Sequence, residues 1–483
     1  MDTKRLITDA AAIWDAEVLP TLRRYIEIPA QSRDFDPDWK ANGHIDAVLA
    51  LARDWVMEHA PPATIVEIVE RDGRTPVLLI EIPATDDSGE TAFLYAHLDK
   101  QPPFEGWDAT RGLEPWKAVD IHDERGHLLF GRGGADDGYG VFAAITAIGC
   151  LEIQDIPHPR CVLLIETGEE SGSPDLPFYV DLLKTRIGTP TLIVALDSGC
   201  GDYGRLWITP SLRGIVGGVL TVEVLTEGVH SGDATGIIPD PFRLGWELIG
   251  AIQDPTDGYI RLPELKAEIP HEVLLQADVA AEVLGAAYVH RFPWVDEARP
   301  VEVTENGLAR KIRARTWHPG LSVVGMEGMP NLRGGNVRLP RMSFKLSIRI
   351  PPTVDADVAA RAVEKAIADA TDKLSHPAKV TFSAEGHAAW LAPTEAPWFT
   401  EAVNQASTDV FGHPAVSMGE GGSIPFMGQL GAAFPEAQFL VTGVLGPGSN
   451  AHGPNEFLHV DFAKGLTASV ALVLASHSRH FSA

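Results

Sequence analysis

The sequence predicts an α/β fold in which a mostly parallel, twisted sheet with flanking helices carries an inserted α+β sandwich. Three observations predict it. Short apolar runs rich in Val, Ile and Leu alternate with helical patterns over roughly the first 212 residues, which is typical of a buried parallel sheet. From about Arg213 strands and helices follow one another in the order of a small α+β unit. The first pattern then returns after residue 388.

The elements of the first segment, residues 1–212, follow from these patterns. An opening amphipathic helix is predicted for RLITDAAAIWDAEVLPTLRRY, and a second, apolar helix for VFAAITAIGCLEI. Continuous apolar runs bounded by turn residues predict buried strands. These strands are TPVLLIEIPA, TAFLYAHLD, RCVLLIETGEE and TLIVALDSG.

The inserted segment is predicted to span residues 213–388 and the last part of the α/β domain residues 389–483. In the insert, GGVLTVEVLTEG, MSFKLSIRIPP and AKVTFSAEG predict strands, while PFRLGWELIGAI and DVAARAVEKAIADATDKL predict helices. The last segment is predicted to contain the helix EAVNQASTDVF, the strand QFLVTGVLG and a final helix from Asp461.

Composition limits the partners and the compartment. The formal net charge is -27, from 66 acidic and 39 basic residues, and Lys and Arg form no cluster, which argues against nucleic acid and anionic membranes as partners. The three cysteines lie in no C-x-x-C spacing, which favours a reducing compartment. The N-terminal stretch has acids within its apolar pattern, unlike a signal peptide. We therefore expect a cytoplasmic protein.

Polar residues with metal-binding chemistry follow several predicted strands. In open α/β sheets, ligands gather at the carboxyl ends of the strands. Taken alone, each group has a plain structural interpretation: His97-x-Asp99 is more typical of a structural histidine, and Asp197 is equally typical of a turn cap. The adjacent acids in GRGGADDGYG and in Glu169-Glu170 are harder to explain as solvated loops. In extended chain, Glu169 and Glu170 would face opposite ways.

The convergence of these groups, rather than any one of them, predicts a dinuclear metal site. Such a site needs a few His and carboxylate ligands, a carboxylate shared by two ions, and a spare base for the bridging water. His452, in GSNAHGPNE after a late strand, is placed as a distant ligand that returns to the same sheet edge. Asp99, two residues beyond His97, is placed to orient the imidazole.

Nine motifs spread over nearly the whole chain resemble one enzyme family. They are LYAHLDKQP, GRGGADDGYG, ETGEESGS, ALDSG, LRGIVGG, GVHSG, SIRIPP, GEGGSIPF and NAHGPNE. The sequence resembles the dinuclear metallopeptidases that include carnosinase, cytosolic non-specific dipeptidase, glutamate carboxypeptidase and aminoacylase, and is most similar to the dipeptidase branch. The resemblance implies a zinc-peptidase-like catalytic domain, and a lid and dimerisation domain as the insert.

The resemblance also implies roles for the metal-binding residues. His97 and Asp197 would hold one ion, Glu170 and His452 the other, and Asp136 would bridge them. Glu169 would be the general base for a metal-bridging hydroxide, and Asp99 would hold His97 in the ligating tautomer. Two divalent ions per subunit are implied, zinc first, with manganese or cobalt as alternatives.

Further residues are implied to contact the substrate. His230 in GVHSG would reach across a homodimer interface into the partner's site. Arg349, His387, Gly422 and Ser423 would hold the terminal carboxylate of a small peptide, a role suited to a guanidinium group and to backbone N–H groups next to glycines. Gly138 and Tyr139 depart from the family, which usually has Lys after the paired acids.

The predicted function is hydrolysis of dipeptides or short peptides with release of the C-terminal amino acid. Two alternatives remain at this point. The same dinuclear site could serve an N-acyl amino acid amidohydrolase or a carboxypeptidase. A non-catalytic binding protein could also use this scaffold, because fold alone does not establish function.

Overall fold

The computed structural model of the chain describes residues 2–292, 294–296, 298, 300 and 307–482. In chain order, its strands are β1 Ile65–Val69, β2 Val77–Ile82, β3 Thr91–His97, β4 Val119–Asp123, β5 Gly126–Phe130, β6 Arg160–Glu166, β7 Leu192–Ala195, β8 Trp207–Ile208, β9 Ser211–Leu212, β10 Gly214–Glu223, β11 Val229–His230, β12 Gly320–Glu327, β13 Val337–Arg338, β14 Arg341–Ile350, β15 Lys379–Thr381, β16 Glu385–His387, β17 Trp390–Leu391, β18 Val416–Ser417, β19 Gln438–Val441 and β20 Phe457–His459.

The α-helices of the described residues are α1 Thr3–Ile13, α2 Leu19–Ile26, α3 Trp39–Asn42, α4 His44–His59, α5 Gly140–Ile153, α6 Leu176–Ile187, α7 Ser231–Ala234, α8 Pro241–Ile252, α9 His271–Leu284, α10 Ala287–His290, α11 Gly307–Thr316, α12 Ala356–Thr371, α13 Pro397–Phe411, α14 Pro425–Ala433 and α15 Val460–Phe481. The predicted opening helix is observed as α1 and α2, which are joined by a π-helical turn at Trp14–Val18.

The larger sheet has the strand order β1-β2-β6-β3-β7-β19. Strands β6, β3, β7 and β19 run parallel to one another. Strands β1 and β2 form an antiparallel edge, and β2 also pairs antiparallel with β6. The predicted α/β class is confirmed, and the sheet is mixed because the short connection between β1 and β2 permits only an antiparallel hairpin. Every residue of β3 is buried, as its continuous apolar run predicts.

Helices cover both faces of this sheet. On one face, α1, α4, α5 and α15 contribute to a single apolar core, in which nearly every residue of α5 is buried. On the other face, α6 and α14 pack against the remaining side chains of the sheet. The last helix, α15, contacts α1, α5 and α13, so the two ends of the chain meet in one core.

A second, antiparallel sheet is built from strands of the chain segment that runs from β10 to β16. Its order is β12-β14-β10-β15, and β16 also pairs with β10. Helices α8 and α12 cover one face of it and share a core of their own. These strands fall inside the predicted insert, whose assignment as a lid and dimerisation domain remains a prediction. Of the predicted domain ranges, residues 1, 293, 297, 299, 301–306 and 483 lie outside the described residues.

Two further observations concern the environment of the chain. Cys150, Cys161 and Cys200 are all free and buried. None of the helices in the described ranges combines the length and the apolar character that crossing a membrane requires.

Candidate metal centre and active site

The polar residues predicted from sequence meet at one edge of the larger sheet. Strand β3 ends at His97, which lies opposite Glu166, the last residue of the parallel strand β6. Because parallel strands end at the same edge, the segments that follow β3, β6 and β7 lie side by side there. The turn before α5 and the loop after β19 reach the same place. Together these five segments supply His97, Asp136, Glu169, Glu170, Asp197 and His452.

Two groups of possible ligands share the carboxylate of Asp136. In the first group, Nε2 of His97 lies 3.3 Å from Oδ1 of Asp136 and 3.8 Å from Oδ2 of Asp197. In the second, Nε2 of His452 lies 3.0 Å from Oδ2 of Asp136 and 3.3 Å from Oε2 of Glu170. The ligand atoms within each group all lie within 4.8 Å of one another. One oxygen of Asp136 therefore faces each group.

The residues present fit a pair of divalent cations. Nε2 of His97 is buried and makes no hydrogen bond with the described residues. Burial and the charge of Asp136 raise the pKa of Glu170, and burial raises that of Asp197. Such carboxylates need nearby positive charge to stay ionised. His and carboxylate ligands around a partly open site are the chemistry that catalytic zinc and manganese bind.

The two histidines provide positive charge for these carboxylates in this structure. Burial opposes protonation of His452, but hydrogen bonds to Asp136 and Glu170 raise its pKa to about 11. Burial likewise opposes ionisation of Asp136, yet the neighbouring imidazoles of His452 and His97 hold its pKa below the usual value. A cation that binds there has to displace protons from the imidazoles, so metal affinity falls as pH falls.

Asp99 contacts both His97 and the turn that carries Glu169 and Glu170. Nδ1 of His97 lies 3.1 Å from the backbone oxygen of Asp99 and 3.5 Å from its carboxylate. The same carboxylate accepts hydrogen bonds from the backbone N–H groups of Glu169 and Glu170, at 3.2 and 3.1 Å. Asp99 thus joins the His97 segment to the Glu169–Glu170 turn, a contact that the sequence did not predict.

The predicted extended backbone at Glu169 and Glu170 is wrong. These residues begin a 3₁₀ turn, Glu169–Ser171, because Asp99 binds both of their amides. Glu170 faces His452 and accepts a hydrogen bond of 2.6 Å from Gln101. Burial and the neighbouring charges of Glu170, Asp136 and Asp99 raise the pKa of Glu169 well above its ordinary value. Glu169 is therefore a carboxyl group that accepts a proton readily.

The residues predicted to bind substrate are brought together only in part. Nη1 of Arg349, near the end of β14, donates to Oγ of Ser423 at 2.9 Å, although the two are far apart in sequence. A side chain at Gly422 would meet no atom within 4 Å, so its backbone is open on that side. His387 is exposed and pairs with Ile215 across β16 and β10. His230 is also exposed, and no contact joins it to the metal-binding group within the described chain.

Three buried charges near the centre were not predicted as site residues. Arg132 and Glu456 form an ion pair of 2.7 Å. Lys100 is fully buried, and its Nζ donates to the backbone oxygens of Tyr25 and Ile28 at 2.8 Å each. A charge directly next to an apolar strand, as in Glu456 before FLHV and Lys100 after FLYAHLD, is the signal that could have identified them.

Comparison with known proteins agrees with this geometry. Residues 93–476 match Peptidase family M20/M25/M40. The cysteinylglycine-S-conjugate dipeptidase of Corynebacterium striatum is 24% identical over 408 residues, which are 81% of this chain and 83% of that protein. Human carnosine dipeptidase 1 has a similar fold, with a TM-score of 0.78 and 21% identity over 99% of both chains. Dug1p, a dipeptidase of Saccharomyces cerevisiae, gives a TM-score of 0.75 and 21% identity, again over 99% of both chains.

The match extends from β3, which carries His97, to α15, and so includes every residue of the candidate metal centre. It confirms the family that the nine motifs predicted. The chain belongs to Peptidase family M20/M25/M40.

Proposed function

We propose that this protein is a metal-dependent dipeptidase that releases the C-terminal amino acid from dipeptides. The observation that carries the proposal is the carboxylate of Asp136, whose two oxygens face two separate histidine and carboxylate groups. The names of the relatives support the substrate class, because each is described as a dipeptidase.

We infer that the centre takes two divalent cations. His97, Asp136 and Asp197 would hold one, and Asp136, Glu170 and His452 would hold the other. When bound, two such cations supply Lewis acidity that lowers the pKa of a water molecule to about 7 and stabilises negative charge on oxygen. Zinc suits these ligands, and manganese and cobalt are the alternatives.

The proton transfers fall to Glu169. Its raised pKa makes its carboxylate a good acceptor of the proton from the attacking water, and the resulting acid can pass that proton to the leaving amine. Asp99 orients both His97 and Glu169, because it contacts the imidazole of His97 and also fixes the backbone of Glu169. We propose that His230 of the partner subunit of a homodimer completes the site and stabilises the oxyanion.

The groups that we propose to hold the substrate's terminal carboxylate support the proposed substrate class. The guanidinium group of Arg349, fixed by Ser423, is suited to a carboxylate, and Gly422 exposes backbone beside it. His387 would complete this set. If these groups hold the carboxylate one residue beyond the scissile bond, the site would select dipeptides over longer peptides.

A substrate panel tests this proposal. Protein loaded with zinc, manganese or cobalt would be given dipeptides, the same dipeptides with a C-terminal amide, tripeptides, N-acetyl amino acids and N-succinyl amino acids. We expect hydrolysis of free dipeptides and at least about 100-fold lower kcat/KM for the amides, since a charged hydrogen-bonded pair is lost. Arg349→Met should remove this preference for the free carboxylate.

The panel also separates the alternatives. Hydrolysis of acyl substrates alone would replace the dipeptidase by an N-acyl amino acid amidohydrolase, and no turnover of any substrate with metal bound would favour a binding protein. We further propose a cytoplasmic protein, supported by the three free, buried cysteines. Light scattering of the purified protein tests the proposed homodimer.

A further inference from the structure

A buried pair of opposite charges, Arg132 and Glu456, lies beside the metal centre and has no part in the proposed chemistry. Arg132 is 1% exposed and Glu456 is 0% exposed, and Nη1 of Arg132 lies 2.7 Å from Oε2 of Glu456. The rings of Phe104 and Trp107 lie over the guanidinium group at 5.7 Å each. Burying two charges removes their hydration free energy, which can outweigh the attraction between them. Stability alone therefore does not explain this pair.

The pair connects the two loops that carry Asp136 and His452. Glu456, from the His452 loop, accepts hydrogen bonds from the backbone N–H groups of Gly133 at 3.0 Å and Ala135 at 3.2 Å. These bonds fix the backbone just before Asp136. In return, Nη2 of Arg132 donates to the backbone oxygen of Gly453 at 2.6 Å. This bond fixes the residue that follows His452.

The His452 loop depends on such outside contacts. Asn450, His452 and Asn455 have φ angles of 54°, 64° and 59°, in the left-handed region that residues with a side chain seldom adopt. The side chain of His452 is 57% exposed, so packing does little to hold it. A backbone in this conformation persists only where surrounding contacts determine it. The bonds made by Arg132 and Glu456 are contacts of that kind.

We propose that Arg132 and Glu456 are positioning residues that hold Asp136 and His452 at the separation required by the second cation. The inference rests on the proposed dinuclear function. It assigns the pair to the Asp136–Glu170–His452 group, because His97 ends β3 and Asp197 follows β7, and both strands are held in place by neighbouring strands. Loss of the pair therefore weakens cation binding at the Asp136–Glu170–His452 group more than at the His97–Asp136–Asp197 group.

Zinc binding to Glu456→Gln tests the proposal. Glutamine keeps the size of the side chain, but its amide nitrogen cannot accept the hydrogen bond from Arg132 or Gly133. Titration calorimetry and equilibrium dialysis with zinc alone should show two ions on the wild-type protein. On the variant we expect one ion at wild-type affinity and a second bound about 10 to 100 times more weakly. Arg132→Met should weaken the same ion.

Glu81→Gln provides the matched control. Glu81 accepts from Arg160 and from Arg186 Nε at 2.9 Å each, so its loss also breaks a partly buried ion pair, away from the metal centre. This control should bind both ions normally. If Glu456→Gln does not fold, Arg132→Lys keeps the charge but lacks the planar fork whose two terminal nitrogens bond Glu456 and Gly453 separately. It should give the same selective weakening.

The outcomes are distinguishable. Two ions at wild-type affinity on folded Glu456→Gln would overturn the positioning role and leave the dinuclear function standing. Equal weakening of both ions together with a lower melting temperature would show a merely structural pair. Wild-type protein that binds fewer than two ions would overturn the dinuclear function and, with it, this inference.

Discussion

At the scale of single residues, the proposed chemistry depends on two neighbouring carboxyl groups with different roles. We expect Glu169→Gln to lower kcat by about 10²- to 10⁴-fold, because glutamine cannot take the proton from water. Zinc binding should be unchanged, since Glu169 belongs to neither ligand group. Glu170→Gln is the contrast, because it removes a proposed ligand and should weaken zinc binding. Calorimetry and steady-state kinetics on both variants check this, and unchanged kcat in Glu169→Gln would refute the proposed base.

The same residues show what the sequence could and could not predict. His97 and Asp197 were predictable because His97 ends, and Asp197 follows, a continuous apolar strand, and strand ends meet at one sheet edge. The turn at Glu169 was not predictable, because it depends on hydrogen bonds that the backbone N–H groups of Glu169 and Glu170 donate to the side chain of Asp99, and residue periodicity does not reveal such contacts. Glu456 was missed for the same reason: its partners lie more than 300 residues away.

At the scale of elements, the turn before α5 explains the departure at Gly138. A Cβ atom there would lie 2.0 Å from Cε1 of Tyr25 and 2.7 Å from the backbone oxygen of Gly133. Tyr25 also donates to the backbone oxygen of Leu98 at 3.0 Å, between His97 and Asp99. The space that a side chain at position 138 would need is therefore filled by an aromatic ring, and a lysine has no room to replace the glycine.

Gly138→Ala should destabilise the protein and disturb the metal centre. Moving Tyr25 and the turn costs about 1–3 kcal/mol, as overpacking of a filled core does. We expect a lower melting temperature and weaker zinc binding, measured by calorimetry. Gly149→Ala in α5, the helix that follows this turn, is the control, because its Cβ would meet nothing within 4 Å. That variant should gain up to about 1 kcal/mol from helix propensity. Equal melting temperatures and equal zinc affinities for Gly138→Ala and Gly149→Ala would contradict this steric explanation.

Element patterns predicted most of the strands but not their order. The apolar runs located β2, β3, β6 and β7 and their buried character. Strand β1 has an alternating, partly exposed pattern, and the antiparallel pairing of β2 with β6 depends on contacts between distant segments. Local periodicity carries no information about such pairing.

At the scale of the whole molecule, the last helix joins the end of the chain to the central sheet through a buried histidine. His477 of α15 is 0% exposed, and its Nε2 lies 2.8 Å from Oγ1 of Thr191, just before β7. Burial lowers its pKa from 6.5 to about 4, and the nearby charges are those of Asp86, which opposes this shift, and His480. The folded state therefore favours neutral His477.

This shift predicts how stability depends on pH. As pH falls from about 6.5 to about 4, the unfolded chain takes up a proton at this site before the folded chain does, so stability is lost over that window and is fully present above it. Between pH 7 and pH 5 the loss is about 2 kcal/mol. Urea unfolding at both pH values, with chelator present to remove metal-linked protons, should show this loss in wild type. The loss should be smaller by that amount in His477→Gln, whose amide can still bond Thr191. Parallel pH profiles for the two proteins would show that His477 is not the linking group.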